Sequence, residues 1–214
     1  GDYFNAIMDS LGSFGIPLEG LHTETGPGVY EAALMATEAL EAADRAVLFK
    51  SSVKELAYGY GVVASFMARW NEDLPGCSGH LHQSLWQGDT NVFFDEGSKL
   101  KLSTTGQQYL AGILHCLPDL LVMFAPTVNS YKRLVEGFWA PTKVSWAVDN
   151  RTAAVRYIHG SPKSTRFEFR TSGADMNPYL SIAACLAAGL YGIENKLELK
   201  HEPIEGSAYK DEQA

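Results

Sequence analysis

The segment Arg166-Phe167-Glu168-Phe169-Arg170 alternates a charge with a phenylalanine at every step. Side chains along a β-strand point to opposite faces with a period of two, so this run sets both phenylalanines on one face and the arginines with the glutamate on the other. A chain carrying it must build a sheet with one face in the core and the other given to charge. Such a glutamate is able to hold a cation while the arginines hold anions, and a second pair, Arg151 and Arg156, stands just upstream in NRTAAVRYI. The cluster suits a highly charged substrate such as a nucleoside triphosphate with its metal. It equally suits a solvated sheet face crossed by ion pairs, each contributing less than about 1 kcal/mol.

Composition narrows the partners. At 214 residues, 46% hydrophobic and 20% charged, the chain resembles an ordinary globular protein, and one domain is the simpler division. A formal charge of −8 and an isoelectric point of about 5.2, with no basic run to neutralise phosphates, argue against a nucleic-acid partner. Cys77, Cys116 and Cys185 lack a CxxC spacing, which indicates neither a disulfide framework nor a cysteine zinc site and points to a reducing cytoplasm. No apolar run reaches the length of a membrane span, and the opening GDYFNAIMDSL lacks signal-peptide anatomy. Both ends read as cut. The chain opens directly in an amphipathic helix and closes in the polar tail HEPIEGSAYKDEQA, without an element of its own.

Periodicity and turn signals give an order of elements. A short helix is predicted over 3–14, then a strand–turn–strand in which TGPG at 25–28 joins LEGLHTE to VYEAAL. Thr37 is placed to cap a long helix, supported by the Glu41 to Arg45 spacing and the stripe Phe49, Val53, Leu56, Tyr60. VVASFMARW (62–70) and GHLHQSLW (79–86) read as strands joined by a Gly/Pro-bearing loop. Residues 104–124 carry the helical stripe Tyr109, Ile113, Leu117, Leu120, Phe124, with Pro118 expected to break the helix or start a second one. A loop-rich stretch over 126–150 precedes strands at 151–158 and 166–170, and an Ala-rich helix follows with Pro178 in its first turn. Antiparallel-looking strands with helices grouped between them indicate an α+β fold.

Four further groupings carry chemistry. Glu24 and Glu31 flank the TGPG turn, and folding that hairpin brings together two carboxylates that repel unless a divalent cation sits between them. Two surface glutamates on a hairpin fit the same pattern. His80 and His82 are two apart on an expected strand and share a face, which suits two metal ligands, or one ligand and one phosphate contact, or simply one core and one surface histidine. PTVNSYKRL supplies Lys132 and Arg133. In EGFWAPT, Gly137 and Pro141 bracket two aromatics, so Trp139 serves either as a lid that excludes water or as local packing.

Taken together, GPGVYE, SGHLHQSLW, PTVNSYKRL, NRTAAVR, RFEFR and DMNPYL stand in the order found in the glutamine synthetase catalytic domain. The resemblance runs from about Leu18 to about Asn195 and is closest to the branch related to γ-glutamylpolyamine synthetases and FluG-type proteins. It implies one α+β catalytic-domain fragment over 1–214, an antiparallel curved sheet with flanking helices, truncated at both ends and lacking the family's small N-terminal β-grasp domain. It also implies an ATP-dependent carboxylate–amine ligase: glutamate or a related acid takes the γ-phosphoryl of ATP, and an amine displaces phosphate from the γ-glutamyl phosphate. Mg²⁺ or Mn²⁺ is the implied cofactor and ATP the co-substrate, in a cytoplasmic homo-oligomeric ring whose active sites form between subunits.

Position by position, the resemblance gives Glu24 and Glu31 to one metal site and His80 and Glu168 to another. It gives Arg133, Gly76 and Arg170 to the acid, and Arg151 and Arg170 to the transferring phosphoryl group. Arg156, Arg166, His82 and Ser84, with Arg151, fall on the nucleotide side. Two positions depart from the family pattern. Trp139 stands where ammonia-using enzymes resemble one another in carrying a glutamate, and Pro75 replaces the asparagine that precedes the glycine matched by Gly76. An indole takes no proton, so the resemblance points to an organic amine received by Trp139, with Glu136 the candidate base. An ordinary ammonia-dependent glutamine synthetase, or a non-catalytic member used for binding or structure, remains the alternative; a zinc hydrolase built on His80 and His82 explains the histidines but not the arginines.

Overall fold

The computed structural model describes residues 1–210, and its architecture is α+β. Helix α1 (Asp2–Ser13) buries Ile7 and Leu11. The hairpin of β1 (Leu18–Thr23) and β2 (Tyr30–Leu34) is antiparallel, and its turn uses Gly26 and Gly28 at φ 116° and 75°, a region that costs any residue with a Cβ. Helix α2 (Ala39–Gly59) lays Val53 onto Ile7, Leu11 and Ile16, with Phe49 and Leu56 at the margin, making a small first core. Thr37 is not its cap. Glu38 holds that position, and the Thr37 hydroxyl donates to Glu41, which also receives Arg45 at 2.7 Å.

The remaining elements are β3 (Leu81–Gln83), a two-stranded ribbon of β4 (Trp86–Gln87) and β5 (Thr90–Asn91), α3 (Thr104–Phe124), α4 (Val128–Arg133), β6 (Trp146–Val148), β7 (Val155–Ile158), β8 (Arg166–Phe169) and α5 (Pro178–Glu194). The central sheet runs β3-β8-β7-β6. One face is the main core: Phe167 and Phe169 are fully buried, Phe167 within 5.0 Å of the Phe93 ring and 5.5 Å of the Tyr157 ring, and Phe169 within 4.5 Å of the Phe124 ring. Helices α3 and α5 cover that face. They approach backbone to backbone, because a Cβ at Gly112 would collide with the Ala188 carbonyl and with Gly192.

Several local expectations are corrected. Pro118 neither breaks nor restarts α3, since burial of Leu114, Leu117 and Phe124 on either side outweighs the one backbone hydrogen bond a proline forfeits. The sheet is not wholly antiparallel: β6 and β7 run parallel, joined by a short return in which Asp149 takes φ 50° and the Asn150 side chain accepts from the Thr152 amide. That return also leaves Arg151 in a turn rather than on a strand. Residues 62–70 form no strand. Arg69 is buried there, its backbone bonded to the Asn129 side chain in both directions and its guanidinium bonded to the carbonyls of Asn71 and Glu72, so the polar groups of Arg69 are satisfied without a ladder. The 79–86 strand shortens to β3, and the loop-rich 126–150 contains α4 and β6. Helix α4 begins in a capping box between Thr127 and Ser130. No helix among the described residues is long and apolar enough to cross a membrane.

Candidate functional site

The charged face of the sheet converges on Glu168. Register places it between His82 on β3 and Arg156 on β7, and only 3% of it is exposed. One carboxylate oxygen takes the His80 Nδ1 at 3.1 Å and the Arg170 guanidinium; the other takes Arg156 Nη1 at 3.1 Å. Arg156 continues to Asp149 at 3.0 Å, and Arg170 Nε donates to the Arg151 carbonyl at 3.0 Å. Burial alone would raise the Glu168 pKa, but His80 and Arg170 hold it well below the usual carboxylate range, so the group is ionised. Burial, with the charges of Arg170 and Arg133, pushes His80 down to about 4 against the pull of Glu168. The imidazole is therefore neutral near pH 7. With Nδ1–H given to Glu168, Nε2 carries a lone pair that is buried and, among the described residues, without a hydrogen-bond partner. Such a nitrogen, oriented by a carboxylate on its other side, has the form of a metal ligand.

Arg133 lies beside this cluster. It ends α4, is 3% exposed, and donates to the carbonyls of Thr171 at 2.9 Å and Arg170 at 3.0 Å. Burial and Arg170 push it down to about 10, which leaves it protonated near pH 7. Among the described residues it forms no ion pair with a carboxylate, so its charge is available to an anion. Gly76 is needed underneath: a Cβ there would lie 3.0 Å from Arg133 Cγ and strike the Ala68 carbonyl.

The hairpin brings Glu24 and Glu31 together and adds His22, which alternation alone puts on the same face. His22 Nε2 is 3.3 Å from Glu24 and 3.8 Å from Glu31, and the three ligand atoms lie within 4.8 Å of one another. Burial and then the Glu24 carboxylate raise the Glu31 pKa; burial works to raise Glu24 as well, but the Thr25 amide, Glu31 and His22 hold it lower. Two carboxyls held this close repel when both are ionised, and a divalent, oxygen-preferring ion between them relieves that repulsion. The donor set fits such an ion, as does the unpartnered His80 nitrogen next to ionised Glu168. The negative charge of Glu168 is felt at Glu31.

On the nucleotide side of the sequence reading, exposed His82 accepts from Arg166 Nε at 3.1 Å through Nδ1, and Arg166 also donates to the Ser164 carbonyl at 2.8 Å. The two histidines of HxH therefore divide between Glu168 and Arg166. Ser84 Oγ accepts from Trp86 Nε1 at 2.9 Å, while Arg151 is exposed and its charge reaches Arg170. In the loop after α4, Glu136 is exposed and Trp139 is 53% exposed at φ 61°, a strained conformation for a bulky residue. Its neighbours are held. The Phe138 ring lies 4.4 Å from the Arg69 guanidinium, Arg170 donates to the Trp139 carbonyl at 3.4 Å, and the Tyr209 hydroxyl donates to the Ala140 carbonyl at 3.0 Å.

The sequence reading misses His22, Asp149, Arg69 and Tyr209. For His22 a signal existed, since HTE repeats the every-second-residue logic used for RFEFR. Asp149 reaches Arg156 across a turn, and Arg69 and Tyr209 reach Phe138 and Ala140 from segments distant in sequence, so no local pattern marks them.

The family model "Glutamine synthetase, catalytic domain" matches residues 1–214. Type-1 glutamine synthetase 2 of Dictyostelium discoideum is 56% identical over 210 residues, covering 97% of this chain and 40% of that protein. A glutamate–isopropylamine ligase of a Pseudomonas species is 42% identical over 210 residues, covering 98% of this chain and 46% of that protein. A γ-glutamylethanolamide synthetase of Streptomyces coelicolor is 42% identical over 203 residues, covering 95% and 43%. The chain thus spans less than half the length of these relatives.

Proposed function

Because this chain belongs to the glutamine synthetase catalytic-domain family, we propose that it is the catalytic part of an ATP-dependent ligase joining glutamate, or a related acid, to an organic amine through a γ-glutamyl phosphate. The observation that carries this reading is the buried Glu168, ionised and tied to His80, Arg156 and Arg170 beside Arg133, which has no carboxylate partner among the described residues. A non-catalytic domain has little reason to bury this cluster, least of all Arg133, whose desolvated charge no carboxylate among the described residues offsets.

In this reading Arg133 binds the acid's carboxylate, and Gly76 leaves the room for it to do so. Arg170, with Arg151, neutralises charge where the phosphoryl group transfers, and Arg156, Arg166, His82 and Ser84 orient the nucleotide phosphates. Phosphoryl transfer is mostly positioning and charge neutralisation, which fixed guanidinium groups supply. Glu24, Glu31 and His22 would hold one Mg²⁺ or Mn²⁺ and His80 with Glu168 another, ions that add charge neutralisation on the phosphate oxygens. Trp139 offers the amine an apolar face, and Glu136 is the loop's carboxylate able to take its proton. The reading carries with it the homo-oligomeric ring and the cytoplasmic setting.

A second reading, an ammonia-dependent glutamine synthetase, is favoured by the relative from Dictyostelium, which bears that name. An amine panel with the full-length protein separates the two, with amide detected by mass and phosphate counted alongside. The first reading expects a higher kcat/KM for an organic amine than for ammonia. An equal or higher value for ammonia assigns the second, and ATP with Mg²⁺ giving neither amide nor a rise in Tm removes both.

A further inference from the structure

The polar tail after α5 returns across the sheet. The Ile204 amide donates to the Trp146 carbonyl at 3.0 Å, Trp146 Nε1 donates to the His201 carbonyl at 2.7 Å, and the Ala208 amide donates to Thr152 Oγ1 at 2.9 Å. Ala208 is buried against Ala147 and Ala153, with Ile204 packed beside them. These anchors fix the residue that follows. Tyr209 is half-buried within reach of the charges of Arg170, Arg133 and Glu136, and its hydroxyl donates to the Ala140 carbonyl at 3.0 Å.

Three independent holds therefore grip the loop around Trp139: Arg69 on the Phe138 ring, Arg170 on the Trp139 carbonyl, and Tyr209 on the Ala140 carbonyl. Trp139 itself keeps an unfavourable φ of 61° with half its surface exposed, so the holds and not its own packing maintain its conformation. Arg69 and Arg170 are fixed by their own networks. Tyr209 is the hold that arrives from a separate segment and rests on one hydroxyl.

We propose that Tyr209 is a positioning residue for the ligase reaction: its hydroxyl keeps the 137–140 loop seated beside Arg133 and Arg170, so that the activated acid meets the amine in preference to water. The inference rests on the ligase reading. Productive reaction forms a bond from amine nitrogen to the γ-carbon, breaks the acyl C–O bond, and releases phosphate with the electron pair and a proton from the amine. Water in the amine's place forms a C–O bond instead, breaks the same bond and returns the acid with phosphate, with the proton passing to solvent. A loosened loop therefore raises phosphate released per amide formed, a ratio indifferent to how much enzyme is folded.

The test is Tyr209→Phe in the full-length protein, which keeps the ring and removes only the hydroxyl. With saturating ATP, Mg²⁺ and acid, and amine below its KM, the phosphate released in excess of amide, divided by the amide, is expected to rise about five-fold, what loss of one ordinary hydrogen bond controls, while KM for ATP stays unchanged. An unchanged ratio overturns the proposal, whether activity is normal or phosphate and amide fall together. The wild-type arm decides the ligase reading separately: no amide from any amine or ammonia ends that reading, and the role of Tyr209 with it.

Discussion

Glu168 shows how much one side chain settles. Its carboxylate serves His80, Arg156 and Arg170 at once, so Glu168→Ala leaves Arg170 without this counter-charge and Arg156 with Asp149 alone. Breaking such a buried pair costs about 3–5 kcal/mol, and that variant confuses folding with chemistry. Glu168→Gln keeps the shape and removes the charge. It is expected to retain most secondary structure by circular dichroism while lowering kcat by about 10²–10³-fold, the scale of losing one preorganised charge contact. Undiminished kcat at saturating Mg²⁺ would reject the assignment. Trp139→Glu is expected to move the kcat/KM ratio toward ammonia by about ten-fold or more, because it puts a proton acceptor in place of an apolar surface; a ratio that does not move removes Trp139 from specificity. At this scale the sequence was legible where relations are local. Alternation placed Arg166, Glu168 and Arg170 on one face, but Asp149 and Tyr209 reach the cluster through turns and a returning tail that no spacing rule encodes.

Among elements, the close crossing of α3 and α5 is the feature most exposed to substitution. Gly112→Ala drives a methyl group into the Ala188 carbonyl and Gly192, so the helices must part. A loss of about 3 kcal/mol is expected in urea unfolding, the upper end of ordinary overpacking. A loss below about 1 kcal/mol would show that the crossing relaxes freely. Cys185 on α5 supplies a pH dependence. Burial pushes its thiol up from 9.0 to about 12, and a group whose folded pKa is raised gives stability that is complete below its unfolded pKa and lost as pH climbs toward the folded one. Stability should therefore fall between about pH 9 and pH 12, and Cys185→Ala should flatten part of that fall in urea midpoints; identical slopes would contradict the burial argument. Helices proved easier to read than strands. The stripes in α2 and α3 were periodic over many residues, and the buried face overrode even Pro118. Residues 62–70 looked like a strand because they are apolar, yet the Asn129 side chain meets the Arg69 backbone in place of a neighbouring strand.

For the whole molecule, the chain matches relatives more than twice its length, and His22, Glu24 and Glu31 lie exposed in it. The 214-residue chain alone is expected to form no amide, since an exposed cluster neither excludes water nor completes a set of ligands. Amide formation dependent on ATP, acid and amine by this chain in isolation would show that its own groups suffice. The account stands on activation of the acid by phosphoryl transfer, and one labelling experiment reaches that step directly. With the full-length protein, ATP, Mg²⁺, amine and glutamate carrying ¹⁸O in its γ-carboxylate, the phosphate released should carry one ¹⁸O for every amide formed, because the carboxylate oxygen that accepted the phosphoryl group departs with it. Amide formed with unlabelled phosphate would contradict the account.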